Sequence, residues 1–287
     1  MFKGKEKNIS DTEAKKSLPH SRKEVFFDLI KHRKMTLFAI SSFVFMFFIP
    51  LAVDLIYFNF LEAAAIAGEK YEYLFSLVFY SMLIMLPCMI IGFMGLYGGF
   101  FVAKKLVWQE GISLAQDFFK GVRESWLHGI INGLIFGIIL FGFVVGGSYL
   151  LIFSPIEPIW SGIGIGVLIL LILFFGMAIS LIYTQDVYYS NSYGATFKNS
   201  FRFLALLNWK ILVLFVSSTG VVIGLCAVDN LITIVVGLFL FAVLNSVVIV
   251  LYTLISHAGF DRFINFEHYP EMVGKGLYKE DNIEKES

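Results

Sequence analysis

Six long apolar stretches alternate with short polar segments along this chain of 287 residues. A helix that crosses a hydrocarbon core of ~30 Å needs about 20 predominantly apolar residues, and each stretch provides roughly that length. The pattern predicts an all-α integral membrane protein with six transmembrane helices. We place them at residues 36–60, 74–103, 129–153, 159–183, 211–228 and 231–256.

For three of these stretches, the number of crossings does not follow from apolar length alone. The second is longer than one crossing requires, so we expect it to tilt, to kink at Pro87 or to extend beyond the membrane. The fifth and sixth are separated only by Asp229 and Asn230. Their combined length is about twice the thickness of a bilayer, so two crossings are predicted rather than one.

Polar residues interrupt the apolar pattern twice, in LVWQEGISLAQDFFKGVRESW (106–126) and in NSYGATFKNSFRFLALLNWK (191–210). Apolar residues recur there every three or four positions, as on one face of a helix. We predict two cytoplasmic amphipathic helices that act as struts at the headgroup boundary. The order of span, amphipathic helix and span occurs twice in the same direction, which indicates a parallel internal repeat. The apolar faces consist of Phe118, Val122 and Trp126, and of Phe197, Phe201 and Leu204.

Lysine and arginine are distributed unevenly between the two sides of the predicted bundle. Of 22 Lys and Arg residues, only Lys70 falls on the side opposite the termini. Because cytoplasmic segments carry the excess of Lys and Arg, both termini are predicted to be cytoplasmic in a multi-pass cell-membrane protein. The chain then divides into a basic N-terminal tail (1–35), a six-span domain (36–256) and a C-terminal tail (257–287).

Composition supports the membrane assignment and limits the chemistry. The chain is 58% hydrophobic and 15% charged, whereas soluble domains are about 25% charged. The net charge is zero, which argues against a nucleic-acid partner. No metalloprotease, P-loop or nucleophile-elbow motif occurs, and two cysteines are too few for a metal site. We therefore expect no enzyme activity and no cofactor.

A few polar residues lie within or beside the predicted spans. Asp54 is placed near the outer interface, within reach of water, and Gln185 and Asp186 at the cytoplasmic surface. Asn132 and Asn245 are expected to form hydrogen bonds between helices. No Lys, Arg or His lies in mid-membrane, which counts against an ion-coupled pump.

Glycines recur at intervals of four residues. Small residues at this spacing let helices approach closely in lipid, and six spans offer enough partners within one chain. Packing within the chain is therefore favoured over a homodimer. The residues concerned are Gly95, Gly99, Gly129, Gly133, Gly137, Gly220 and Gly224.

Two segments, LYGGFFVAKKLVWQEGISLAQDFFKGVRESWLHGI and FDRFINFEHYPEMVGKGLY, resemble the YesL-like family of bacterial membrane proteins. The family has no established function and supplies no catalytic residues. The resemblance implies that the protein lies in a bacterial cell membrane and has an accessory or regulatory role in carbohydrate uptake. Its partners would then be the lipid bilayer and a solute-transport complex. The alternative is a small-solute transporter or channel in its own right.

Overall fold

The computed structural model describes residues 18–70, 73–152, 158–189, 191–228 and 230–278. This part of the chain is helical and contains no strand. Two five-residue segments, Val216–Gly220 and Asp261–Asn265, are π-helical, and the last elements are α10 (Phe266–His268) and a 3-10 turn (Pro270–Met272). The other helices are α1 (Arg22–His32), α2 (Lys34–Ala67), α3 (Leu74–Val107), α4 (Leu114–Glu124), α5 (Trp126–Ile152), α6 (Pro158–Tyr188), α7 (Tyr193–Phe215), α8 (Val221–Ala227) and α9 (Leu231–Phe260).

The all-α membrane fold is confirmed. Within the described ranges, six helical segments are long and apolar enough to cross a membrane. Large apolar side chains such as Leu170, Ile232 and Phe239 are more than half exposed, as expected of a surface that faces lipid. The six segments are Lys34–Ala67, Leu74–Val107, Trp126–Leu150, Ile159–Tyr188, Trp209–Cys226 and Leu231–His268.

These six spans form a ring. Going around it, α2 packs on α3, α3 on α5, α5 on α6, α6 on α7, the α7–α8 span on α9, and α9 on α2. The two ends of the described chain meet, since the Tyr278 N–H donates to the Pro19 carbonyl oxygen at 2.9 Å. We call this the proximal end of the bundle. The distal end carries the connections from α2 to α3, α5 to α6 and α8 to α9.

The second span extends beyond a bilayer rather than breaking. Helix α3 has 34 residues and continues through Pro87, so its length is about 51 Å. Its additional turns project at the proximal end, where α4 packs beside them.

Glycines let α3 approach its neighbours. A Cβ at Gly133 would lie 2.7 Å from the Ile90 Cα, and one at Gly129 would lie 3.0 Å from the Met94 Cα. A Cβ at Gly137 would lie 2.9 Å from Cδ2 of the Leu86 side chain, and Gly95 and Gly99 face Phe47 and Val44 of α2. Gly220 and Gly224 behave differently from the expectation, because neither packs against another described helix. Gly220 contacts the carbonyl of Phe215, and a Cβ at Gly224 would meet nothing within 4 Å.

The first amphipathic segment is a separate helix, α4, which packs on α3 rather than lying free. Phe118 is fully buried and its ring lies over Gly98. Lys105 Nζ contacts Asp117 Oδ1 at 2.7 Å, which joins the two helices. Val122 is half-buried on the same helix. Trp126 begins α5 instead, because Ser125 ends α4 one residue earlier.

The second amphipathic segment is not a separate helix. Residues from Tyr193 onwards form the first half of α7, which continues without a break into the fifth span. Leu204 is buried, and Phe197 and Phe201 are half-buried against each other with ring centroids 4.7 Å apart. The two halves of the predicted repeat therefore differ at this point, and the repeat itself stays a prediction.

The predicted N-terminal tail contains a packed helix. Val25 and Leu29 of α1 are buried, and Arg22 forms an ion pair with Asp261 at 3.1 Å. Arg22 also donates to the carbonyl oxygen of Lys275 at 2.8 Å. These contacts fasten α1 to the C-terminal segment at the proximal end.

Candidate functional site: a cavity between the six spans

A cavity of about 630 Å³ lies inside the ring, and all six spanning segments contribute to its wall. It reaches the distal end, where Glu62 and Ser148 line it near the ends of α2 and α5, and Val228 lines it just after the end of α8. Its deepest lining residues include Phe100 and Tyr183, close to the proximal ends of α3 and α6. A volume of this size is typical of sites for small organic molecules.

The wall of the cavity is mainly apolar. Ten aromatic side chains and three methionines line it, and the lining residues among those described include no Lys, Arg or His. The aromatic set is Phe48, Phe58, Phe93, Phe100, Phe136, Phe143, Tyr183, Phe215, Phe241 and Tyr252. The polar lining residues are Asn59, Glu62, Ser81, Ser148, Ser180, Thr219 and Asn245, together with the Tyr183 and Tyr252 hydroxyls.

Asn245 is the polar group most clearly available to a ligand. It lies near the middle of α9, it is 6% exposed, and its Nδ2 has no hydrogen-bond acceptor among the described residues. A buried donor without an acceptor costs about 1–3 kcal/mol, so an acceptor on a bound molecule would be stabilising here.

A layer of three aromatic rings forms the proximal floor of the cavity. The rings of Phe100 and Tyr183 are parallel, with centroids 5.1 Å apart, and Phe93 packs beside Tyr183. The Tyr183 hydroxyl donates to the Phe93 carbonyl oxygen at 2.9 Å. Because that bond joins α6 to α3, the floor is fixed between two spans rather than held by one.

A buried polar network lies on the other side of that floor. The Tyr97 hydroxyl donates to Asp186 Oδ2 at 2.6 Å, and Asn132 Nδ2 donates to the Tyr97 oxygen at 3.0 Å. The Tyr193 hydroxyl donates to Asn132 Oδ1 at 2.6 Å, and His128 Nδ1 lies 3.0 Å from Asp186 Oδ2. The network thus connects α3, α5, α6 and α7.

The protonation state of Tyr193 supports the direction of its hydrogen bond to Asn132. Burial, with a smaller contribution from the nearby Asp186 carboxylate, raises the pKa of Tyr193 to about 12. Its hydroxyl therefore stays protonated and donates. The Asp186 side chain is 2% exposed and His128 is 25% exposed, so His128 connects the buried acid to the proximal surface.

The structure brings together some of the predicted polar residues and separates others. Asn132 and Asp186 belong to one network, and Gln185 donates to Ser200 Oγ at 2.8 Å beside it. Gln185 and Asp186 lie in the last turn of α6, at the proximal end of the fourth span as predicted, but their side chains are buried rather than at the surface, because α7 packs over this part of α6. Asp54 is buried rather than hydrated.

Sequence reasoning did not single out Tyr97, Tyr193 or Ser200 as site residues. A tyrosine in an apolar run carries no signal of its own, because aromatic residues are common in transmembrane helices and at their ends. The described residues contain no group of three or more His, Cys, Asp or Glu side chains that could hold a metal ion.

Comparisons with protein-family models, with curated proteins and with solved structures give no match for this chain.

Proposed function

We propose that this protein is a membrane transporter of small, mainly apolar solutes that enter the cavity from the distal end. The observation that carries the proposal is the cavity of about 630 Å³ inside the ring of spans, with its floor of aromatic rings. A site open at one end and closed at the other is one of the two states that an alternating-access transporter needs.

The orientation forms part of the same proposal. Lys and Arg concentrate on the proximal side, so we place that end in the cytoplasm and the distal mouth outside the cell. The solute then enters from outside, in the cell membrane of a bacterium.

The chemistry of the wall sets the class of solute. A sugar needs many hydrogen-bonding groups around it, whereas most of this wall consists of aromatic rings, aliphatic side chains and methionine. Asn245 Nδ2 adds one donor deep in the cavity. A compact apolar molecule with one or two hydrogen-bond acceptors matches this wall.

The two native cysteines provide a direct test of access. Cys226 lines the cavity, whereas Cys88 is buried and does not line it. A membrane-impermeant thiol reagent added to intact cells is expected to modify Cys226. Labelling should persist in Cys88→Ala and disappear in Cys226→Ala. Labelling of Cys226 only in inverted vesicles would contradict the proposed orientation.

Binding and transport are tested with the purified full-length protein. A neutral apolar solute should slow the labelling of Cys226 with a saturable concentration dependence, and liposomes containing the protein should take that solute up faster than empty liposomes. The proposed function would be refuted if no apolar solute, neutral or charged, protected Cys226 from labelling and none entered the protein-containing liposomes faster than the empty ones.

The accessory role in carbohydrate uptake remains a second proposal, supported by the resemblance to the YesL-like family. It requires a stable complex with a solute transporter. Affinity purification from native membranes tests it, since recovery of a sugar-uptake system in fixed stoichiometry would support it. Recovery of the protein alone, combined with flux in liposomes, would leave the transporter proposal standing.

A further inference from the structure

Among the described residues that line the cavity, Glu62 is the one carboxylate, and none is Lys, Arg or His. Glu62 lines the wall about 8 Å below the distal end of α2, if each of the five residues to Ala67 contributes 1.5 Å. A cleft lined by one sign of charge and walled by apolar material raises the local concentration of ions of opposite sign.

The interior beneath this entrance also suits a cation with an apolar body. The faces of aromatic rings attract cations, and the attraction increases where water is excluded. Ten aromatic side chains line the cavity, and Met82, Met85 and Met89 on one face of α3 add polarisable sulfur. An apolar anion gains none of the cation–π attraction and meets the Glu62 carboxylate at the entrance.

We propose that the cavity selects lipophilic organic cations, with Glu62 as the residue that sets the preference for positive charge. This inference rests on the proposed function, since it names the class of solute that the same cavity takes. Glu62 acts on the bound cation by electrostatic attraction across the upper part of the cavity, and the aromatic wall below holds the apolar body.

Three probes of similar shape separate the effect of charge from that of size. Tetraphenylphosphonium is positive, tetraphenylborate is negative and triphenylphosphine oxide is neutral. Binding of each to the purified full-length protein in lipid nanodiscs is measured by equilibrium dialysis, with empty nanodiscs as the partition control. The wild type is expected to bind the phosphonium most tightly, with saturation at one site per chain.

Variants of two distal carboxylates provide a matched comparison. Glu62→Gln is expected to weaken phosphonium binding about tenfold, a loss of about 1.4 kcal/mol. Glu69→Gln removes the same charge from the exposed α2–α3 connection and is expected to change binding less than twofold. Glu62→Lys should invert the preference and favour the borate. Size-exclusion profiles and thermal unfolding identify the variants that have folded. If Glu62→Gln does not fold, the inverted preference expected of Glu62→Lys still tests the proposal.

The outcomes separate this inference from the proposed function. Saturable binding of all three probes without preference for positive charge, or unchanged phosphonium affinity in folded Glu62→Gln, would overturn the cation inference and leave the transporter proposal intact. Failure of all three probes to bind above the nanodisc background would count against both.

Discussion

Replacement of Tyr97 by Phe tests whether the buried network holds the proximal end of the bundle together. The substitution removes one oxygen and leaves the ring that packs 4.4 Å from the Tyr183 ring. Two hydrogen bonds are lost with that oxygen: the one that Tyr97 donates to Asp186 and the one that Asn132 donates to Tyr97. Tyr97 and Asn132 are both fully buried, so water does not replace the missing partner.

The two lost bonds lower the stability of the folded protein for different reasons. A hydrogen bond to a charged group contributes about 1.5–3 kcal/mol, and a buried donor left without an acceptor costs about 1–3 kcal/mol. The two terms share one network, so they do not add in full. We expect Tyr97→Phe to lower the free energy of unfolding by about 3 kcal/mol, which is about a hundredfold in the folding equilibrium.

Reversible unfolding of the purified protein in mixed micelles, followed by circular dichroism, measures this difference. Tyr57→Phe is the control, since Tyr57 is 58% exposed on the lipid-facing surface and is expected to change stability by less than about 0.5 kcal/mol. A double-mutant cycle with Asp186→Asn then isolates the interaction between Tyr97 and Asp186. If Tyr97→Phe were as stable as the wild type, the network would not stabilise the proximal end, and the reasoning would fail.

Three further predictions concern packing, pH and the proximal contacts. Gly133→Ala should lower the free energy of unfolding by about 1–3 kcal/mol in the same assay, because the added Cβ would meet the α3 backbone. Gly142→Ala is the control and should be nearly neutral, since a Cβ there has nothing within 4 Å. Equal effects of the two substitutions would contradict the packing of α5 on α3. Burial acts to raise the pKa of Asp117, but hydrogen bonds from Lys105 Nζ and the Ser113 N–H outweigh it and lower the pKa. The stability that the ionised Asp117 contributes is therefore fully present above its unfolded pKa of about 3.9 and is lost as pH falls through its lower pKa in the folded protein. Wild type and Asp117→Asn should therefore differ in unfolding free energy above pH ~4 and converge as the pH falls below it. Arg22→Ala removes the ion pair with Asp261 and should speed tryptic cleavage in α1, and an unchanged digestion rate would show that α1 stays docked without it.

The contrast between α4 and α7 shows where periodicity stops being informative. Both segments repeat apolar residues every three or four positions, so both predict an amphipathic helix. Ser125 ends α4 before the next span, whereas α7 continues unbroken into its span. Helical periodicity records which face is apolar, but a boundary between two helices depends on local capping and on what packs against the junction.

The sequence by itself determined that this is an all-α protein with six spans, and it located most of the glycines at which α3 meets its neighbours. The physical reason is local: an apolar run must satisfy its own backbone hydrogen bonds in lipid, and helix formation does so within one segment. Only the tertiary structure decided which polar groups are buried together. Tyr97, His128, Asp186 and Tyr193 stand on four different helices, and their contacts exist only because the spans close into a ring. The cavity has the same origin, since it is space enclosed between helices and no single segment encodes it.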